Sequence, residues 1–150
     1  VTYPPVEPRE PGTPGGFPDD RTPLSEAPFT PTSAQGAADV MQHYYALIGQ
    51  KRYAEALPLW GPAGPSAQAF TQSFSDKLEY HGLVGSPGEI EGAAGSLFVT
   101  VPVQVYGRLK DGRELHQLGK ATLRRVNDVP GSTAAQRTWH IESIALQSYD

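Results

Sequence analysis

The chain has no cysteine among its 150 residues. Disulfides and thiolate metal ligands are therefore excluded, and cysteine usage says nothing about redox compartment. It also lacks any run of about 18 apolar residues, the length a helix needs to cross a bilayer. Clustered basic residues are missing too. The net charge is −4 and the isoelectric point is near 5.5. A nucleic-acid surface needs grouped Lys and Arg to neutralise phosphates, so no nucleic-acid partner is expected. The four histidines, His43, His81, His116 and His140, show no H-x-x-x-H or comparable ligand spacing. No metal and no cofactor are expected on that basis. There is no G-x-S-x-G, no phosphate-binding P-loop and no dinucleotide-binding glycine fingerprint.

Proline and glycine are plentiful, at 15 and 16 residues. Nine of the prolines fall within residues 1–32, with Gly12, Gly15 and Gly16 among them, a composition that cannot form a helix or a central strand. We read residues 1–32 as a Pro-rich extension or tether, about 3.1 Å per residue where extended. Residues 33–150 form one single-core domain. The extension carries two Arg against five acids, so most of the acidity of the chain lies there. A competing reading docks this segment on the domain through Tyr3, Phe17, Leu24 and Phe29, because a purely solvated linker has little use for large apolar side chains. The chain begins at Val1, which reads as a processed or trimmed form.

The body is organised around residues 96–126, two alternating strands joined at Lys110, Asp111 and Gly112. Leu97, Val99, Val101, Val103 and Val105 recur at the two-residue period of a half-buried strand. A two-residue loop would set Val103 opposite Lys120 and place charge on the apolar face. A three-residue loop with Gly112 left-handed instead pairs Val99 with Leu123, Val101 with Ala121 and Val103 with Gly119. On the other face it pairs Arg108 with Glu114, Tyr106 with His116, Thr100 with Thr122 and Phe98 with Arg124. That second face reads as solvated, with Arg108 and Glu114 exchangeable in charge.

Upstream, a first helix should begin after Thr32, with Ala37, Met41, Tyr44 and Ile48 on its apolar stripe, Ala38 and Tyr45 widening it, and Gly49 as its stop. A second short helix is expected over 51–57, limited by Pro58, and a third over 66–74. A strand should follow at 78–84, then a weak edge strand at 89–91. The final strand should run over 137–147, its apolar phase shifting from Trp139 and Ile141 to Ile144 and Leu146 through a bulge near Glu142 and Ser143.

The run Gln42-His43-Tyr44-Tyr45-Ala46-Leu47-Ile48-Gly49-Gln50-Lys51-Arg52-Tyr53-Ala54-Glu55-Ala56-Leu57 is one of three stretches that carry a family likeness. The others are Gly119-Lys120-Ala121-Thr122-Leu123-Arg124-Arg125-Val126 and Trp139-His140-Ile141. Together they make residues 33–147 resemble the nuclear transport factor 2-like superfamily, the cystatin-like cone shared by ketosteroid isomerases and SnoaL-like cyclases. The resemblance implies an α+β fold, with N-terminal helices packed in the concave face of a strongly bent, mostly antiparallel sheet. It also implies a cavity at the open end of the cone. Activity does not follow, since this fold hosts enzymes, binding modules and assembly domains alike.

In ketosteroid isomerases a first-helix tyrosine donates to the substrate oxyanion, and Tyr44 resembles it in position. The general-base aspartate of that family follows the second helix, where this chain has Gly61-Pro62-Ala63-Gly64-Pro65. Its second acid corresponds to about Gly119 and Lys120, again without a carboxylate. Enolisation needs both a base and a donor, and Tyr44 supplies only the donor. The strongest acid-base cluster is Asp76, Glu79 and His81, in which the spacing of two places Glu79 and His81 on one strand face. Tyr44, Tyr45, Trp60, Phe70 and Trp139 are the candidate cavity walls.

The expectation is therefore a noncatalytic domain that binds a small apolar ligand or a protein partner. An extracytoplasmic setting is expected for it, either periplasmic or reached through a lipid anchor upstream of the leader; a cytoplasmic setting is the alternative. An isomerase, dehydratase or cyclase acting on a small apolar substrate is the first competing function. A structural domain that forms a homodimer through the outer sheet face is the second.

Overall fold

β3, Ser96–Leu109, and β4, Glu114–Val126, are the longest strands, and their pairing sets the frame for everything else. The computed structural model of the chain describes residues 4–17, 30, 32–62, 64–93, 95–126, 130–134 and 136–149. Val99 faces Leu123, Val101 faces Ala121, Val103 faces Gly119, Tyr106 faces His116 and Arg108 faces Glu114, so every expected pair forms. The turn is the three-residue one. Leu109 N–H donates to the Arg113 carbonyl at 2.8 Å, and Gly112 sits at φ 97°, a torsion that other residues adopt at a steric cost.

The remaining strands extend this hairpin on both sides. β1, Lys77–Val84, and the short β2, Glu91–Ala93, pair in succession along the other edge of β3. Pro102 falls between their pairing stretches and accepts through its carbonyl from Gly85 N–H at 2.9 Å, so its missing N–H costs no ladder bond. β5, His140–Ser148, pairs with β4. Thr122 faces Ser143 and Leu123 faces Ile141, which leaves Glu142 unpaired as the expected bulge. The spatial order is β1-β3-β4-β5, all antiparallel, in a curled sheet that does not close.

α1, Ala34–Gly49, packs into the hollow of that curl. Ser33 caps it, accepting from Gly36 N–H at 3.2 Å. Ala37, Ala38, Met41, Tyr44, Tyr45 and Ile48 are all buried against Val99, Val101, Val103, Val105, Leu123 and Ile141. The helical period of one element and the two-residue period of the other thus meet in a single core. α2, Tyr53–Ala56, is one turn that passes into a 3-10 turn over Leu57–Leu59. α3, Ala67–Ser73, is capped by Ser66. This arrangement is the α+β cone that the resemblance implied.

Some boundaries differ from expectation. α1 does end at Gly49, as expected, and the left-handed residue just beyond it is Lys51, at φ 61°. Pro58 lies inside the 3-10 turn, where its fixed torsion is compatible. β2 lies two residues later than 89–91, and β5 starts three residues later than 137.

The larger correction concerns the outer face of the sheet. Gln104, Arg108 and His116 are buried there, not solvated. Gln104 Nε2 donates to the Arg9 carbonyl at 2.9 Å, and Arg108 Nη2 donates to the Pro4 carbonyl at 3.2 Å. Val6 is buried, and the Phe17 ring lies over Gly85 beside Pro102. Residues 4–17 therefore lie along the outer face. A proline-rich stretch has carbonyls that no local N–H claims, and the polar side chains of β3 supply the donors. Tyr3, Leu24 and Phe29 lie outside the described residues. Arg108 also donates to the Gly112 carbonyl at 2.7 Å, while Glu114 contacts His116. The two are opposite in register, but their charges are not exchangeable.

Candidate functional site

The open end of the cone holds a recess of about 380 Å³. α1 contributes Tyr44 and Tyr45 on successive positions of its buried face, and the chain leaving the 3-10 turn adds Trp60. α3 presents Phe70, with Phe74 just beyond it, and β1 presents Tyr80. Ile144 and Leu146 of β5 close the other side. The phase shift at the Glu142 bulge is what turns these two residues to the side they share with Ile141.

The rings form a connected array. Tyr44 meets Tyr45 edge-on at 5.1 Å between centroids, Trp60 edge-on at 6.5 Å and Phe70 at 6.3 Å. Tyr45 stacks on Tyr80 at 6.4 Å, and Tyr80 meets Phe74 at 5.2 Å. These are the separations aromatic pairs prefer. Trp60 Nε1–H donates to the Tyr44 hydroxyl at 3.4 Å. The Tyr45 hydroxyl is buried and finds no hydrogen-bond partner among the described residues.

Burial pushes the Tyr44 phenol up to about 12, with the Trp60 hydrogen bond working in the opposite direction. Tyr45 is raised by burial first, then by the neighbouring Tyr80 and Tyr44. Tyr80 is raised by burial and by Tyr44. All three are neutral donors near neutral pH and none is a base there. The one full charge among the described lining residues is Lys77, whose ammonium lies 2.6 Å from Asp76 Oδ1 and 3.4 Å from the Ser73 carbonyl. That contact holds the Asp76 carboxyl below its ordinary value.

Of the expected cavity walls, Tyr44, Tyr45, Trp60 and Phe70 come together here. Trp139 does not. It is buried beside the start of α1, its Nε1–H donating to the Ser33 carbonyl at 2.9 Å. The expected acid-base cluster does not assemble: Asp76 meets Lys77 beside the recess, apart from Glu79 and His81. His81 Nε2 is 3.0 Å from Glu79 Oε1, but the pair faces outward, with His81 tilted against Tyr106 at 5.1 Å. Tyr80, between them, is the β1 residue that points inward. The alternation that put Glu79 and His81 on one face could have placed Tyr80 in the cavity. Lys77 and Gln117 left no such signal. Among the described residues no three His, Asp or Glu side chains gather to hold a metal ion.

No protein-family model matches the chain, and no curated protein matches it in sequence. Solved structures do. A candidate aromatic-ring hydroxylase from Novosphingobium aromaticivorans superposes with a TM-score of 0.58 at 15% identity, covering 83% of this chain and 96% of that one. A candidate scytalone dehydratase from the same organism gives 0.55 at 12% identity over 77% and 83%. A nuclear transport factor 2-like superfamily protein from Salmonella enterica gives 0.54 at 12% identity over 77% and 89%. The chain has the nuclear transport factor 2-like fold.

Proposed function

We propose that the cone recess binds a small, largely apolar molecule with a planar ring and does not turn it over. The observation that carries this reading is an aromatic recess of about 380 Å³ whose described lining holds three tyrosines and one lysine but no carboxylate and no imidazole. Its size lies in the range of small-molecule sites, and a few polar groups among apolar walls are what such sites use to orient a ligand. The unpaired Tyr45 hydroxyl and the Tyr44 hydroxyl are donors for a ligand oxygen. Lys77 at the rim favours a ligand with partial negative charge at its outer end. Proton abstraction from carbon finds no effective base in this lining: the phenols are held neutral, and Asp76, outside the lining, is a weak base because Lys77 holds its carboxyl below the ordinary value.

A dehydratase or related enzyme is the competing reading, favoured by the names that two of the structural neighbours carry. One experiment separates the two. A panel of aromatic and polycyclic compounds is screened by thermal shift, and the same compounds are assayed for dehydration and isomerisation. Saturable shifts without turnover, weakened by Phe70→Ala, support binding. Turnover that Tyr44→Phe abolishes overturns it. An extracytoplasmic setting belongs to the same proposal, resting on the Pro-rich leader, and fractionation of cells that express the chain from its own gene tests it. Dimerisation through the outer sheet face would have to displace residues 4–17 from Gln104 and Arg108.

A further inference from the structure

Trp60 lines a second recess as well, of about 370 Å³, on the side toward the β4–β5 end of the sheet. We propose that this second recess is an anion site that takes the carboxylate or phosphate group of a small molecule, with Arg125 as its principal contact. Its polar lining is Arg124, Arg125, Gln136, His140 and Glu142. Two guanidinium groups thus face one carboxylate among the described residues.

Arg125 is pre-set for this task. Its Cζ lies 5.2 Å from the centroid of the Trp139 ring. Trp139 is itself buried and fixed by its bond to the Ser33 carbonyl, so the guanidinium rests on a rigid platform. Stacking occupies the face of a guanidinium and leaves its in-plane donors free. One of those donors, Nε, is buried and has no acceptor among the described residues. A buried donor on a charged group costs more than a neutral one when unpaired, which favours a small turn of the side chain that brings this donor to an anion in the recess. Arg124 donates from Nε at 3.0 Å and Nη2 at 2.7 Å to Ser96 Oγ, a neutral acceptor that fixes the side chain without cancelling its charge. A planar carboxylate or a phosphate oxygen pair matches the donor fork of arginine. The two recesses share Trp60 as a wall, but the anion contacts named here do not use it.

The test uses the full chain labelled with ¹⁵N, following the Arg Nε–H and Trp Nε1–H signals. Sodium benzoate and sodium phosphate are titrated in separate arms, with sodium chloride at matched ionic strength as the reference. Saturable shifts at Arg125 and Trp139 are expected with at least one of the two, and the tighter arm identifies the group. Arg125→Gln should weaken binding roughly tenfold or more, the usual worth of a hydrogen bond to a charged group. Glu142→Gln, at a half-exposed bulge position, should tighten it by removing a like charge. Shifts that follow the chloride reference without saturating overturn the proposal. So does a Glu142→Gln protein that binds no more tightly than the parent, and that variant decides the question if Arg125→Gln fails to fold.

Discussion

At the scale of single residues, the buried tyrosines make stability sensitive to alkali. A phenol whose folded value is raised above its unfolded one is neutral in the native state while the unfolded chain already ionises. Above pH 10 the unfolded state therefore binds fewer protons, and stability falls as pH rises. For Tyr44 the stabilisation is complete below about pH 10 and is lost as pH rises through about 12. Tyr44→Phe should flatten the decline of the urea midpoint over that window relative to the parent chain. An equal slope in both proteins would show that Tyr44 is not the group responsible. A second residue-scale prediction concerns Gly82. A Cβ built there would lie 2.2 Å from the Tyr45 ring, which rests directly on this stretch of β1. Gly82→Ala should cost about 1–3 kcal/mol, the usual range for overpacking a core. It should also weaken binding in the aromatic recess, because Tyr45 must move. Chemical denaturation and the ligand thermal shift check the two effects separately.

At the scale of elements, Arg108 shows what register does and does not decide. It stands opposite Glu114, yet its guanidinium donates to the carbonyls of Gly112 and Pro4 while Glu114 is mostly exposed. Exchanging the two charges would place a carboxylate against two carbonyl oxygens. The double variant Arg108→Glu with Glu114→Arg should therefore lose about 2 kcal/mol or more in urea denaturation. The alternation of Val99, Val101, Val103 and Val105 made the hairpin readable from the chain alone, because a slip of one residue would have buried Lys120. The stripe on α1 was readable for a similar reason. That stripe also placed Tyr44 and Tyr45 in the cavity, and the apolar positions of the two short helices after it supplied Trp60 and Phe70. The burial of Arg108 and Gln104 was not readable, since their acceptors are backbone carbonyls of Pro4 and Arg9, and a carbonyl carries no residue identity. The position of Trp139 was hidden for the same reason, its partner being the carbonyl of Ser33.

At the scale of the whole molecule, the two faces of the sheet separate two tasks. The concave face packs α1 and opens into the aromatic recess, while the convex face receives residues 4–17. A proline-rich segment loses little conformational freedom when it is laid down, so even two hydrogen bonds and the burial of Val6 are enough to hold it. Removing residues 1–17 would expose Gln104, Arg108 and His116 to water, which satisfies their polar atoms and limits the loss. The expected cost is about 1–2 kcal/mol, a drop in Tm of roughly 3–8 °C for a domain of this size. Because the recess lies on the opposite face, the thermal shift produced by its ligands should survive the deletion. Amide exchange should show where the protection is lost, on the outer strands around Gln104 and not on α1. A Tm unchanged within about a degree would mean that the segment is a solvated tether. Loss of ligand binding together with stability would mean instead that the two faces are coupled through the sheet.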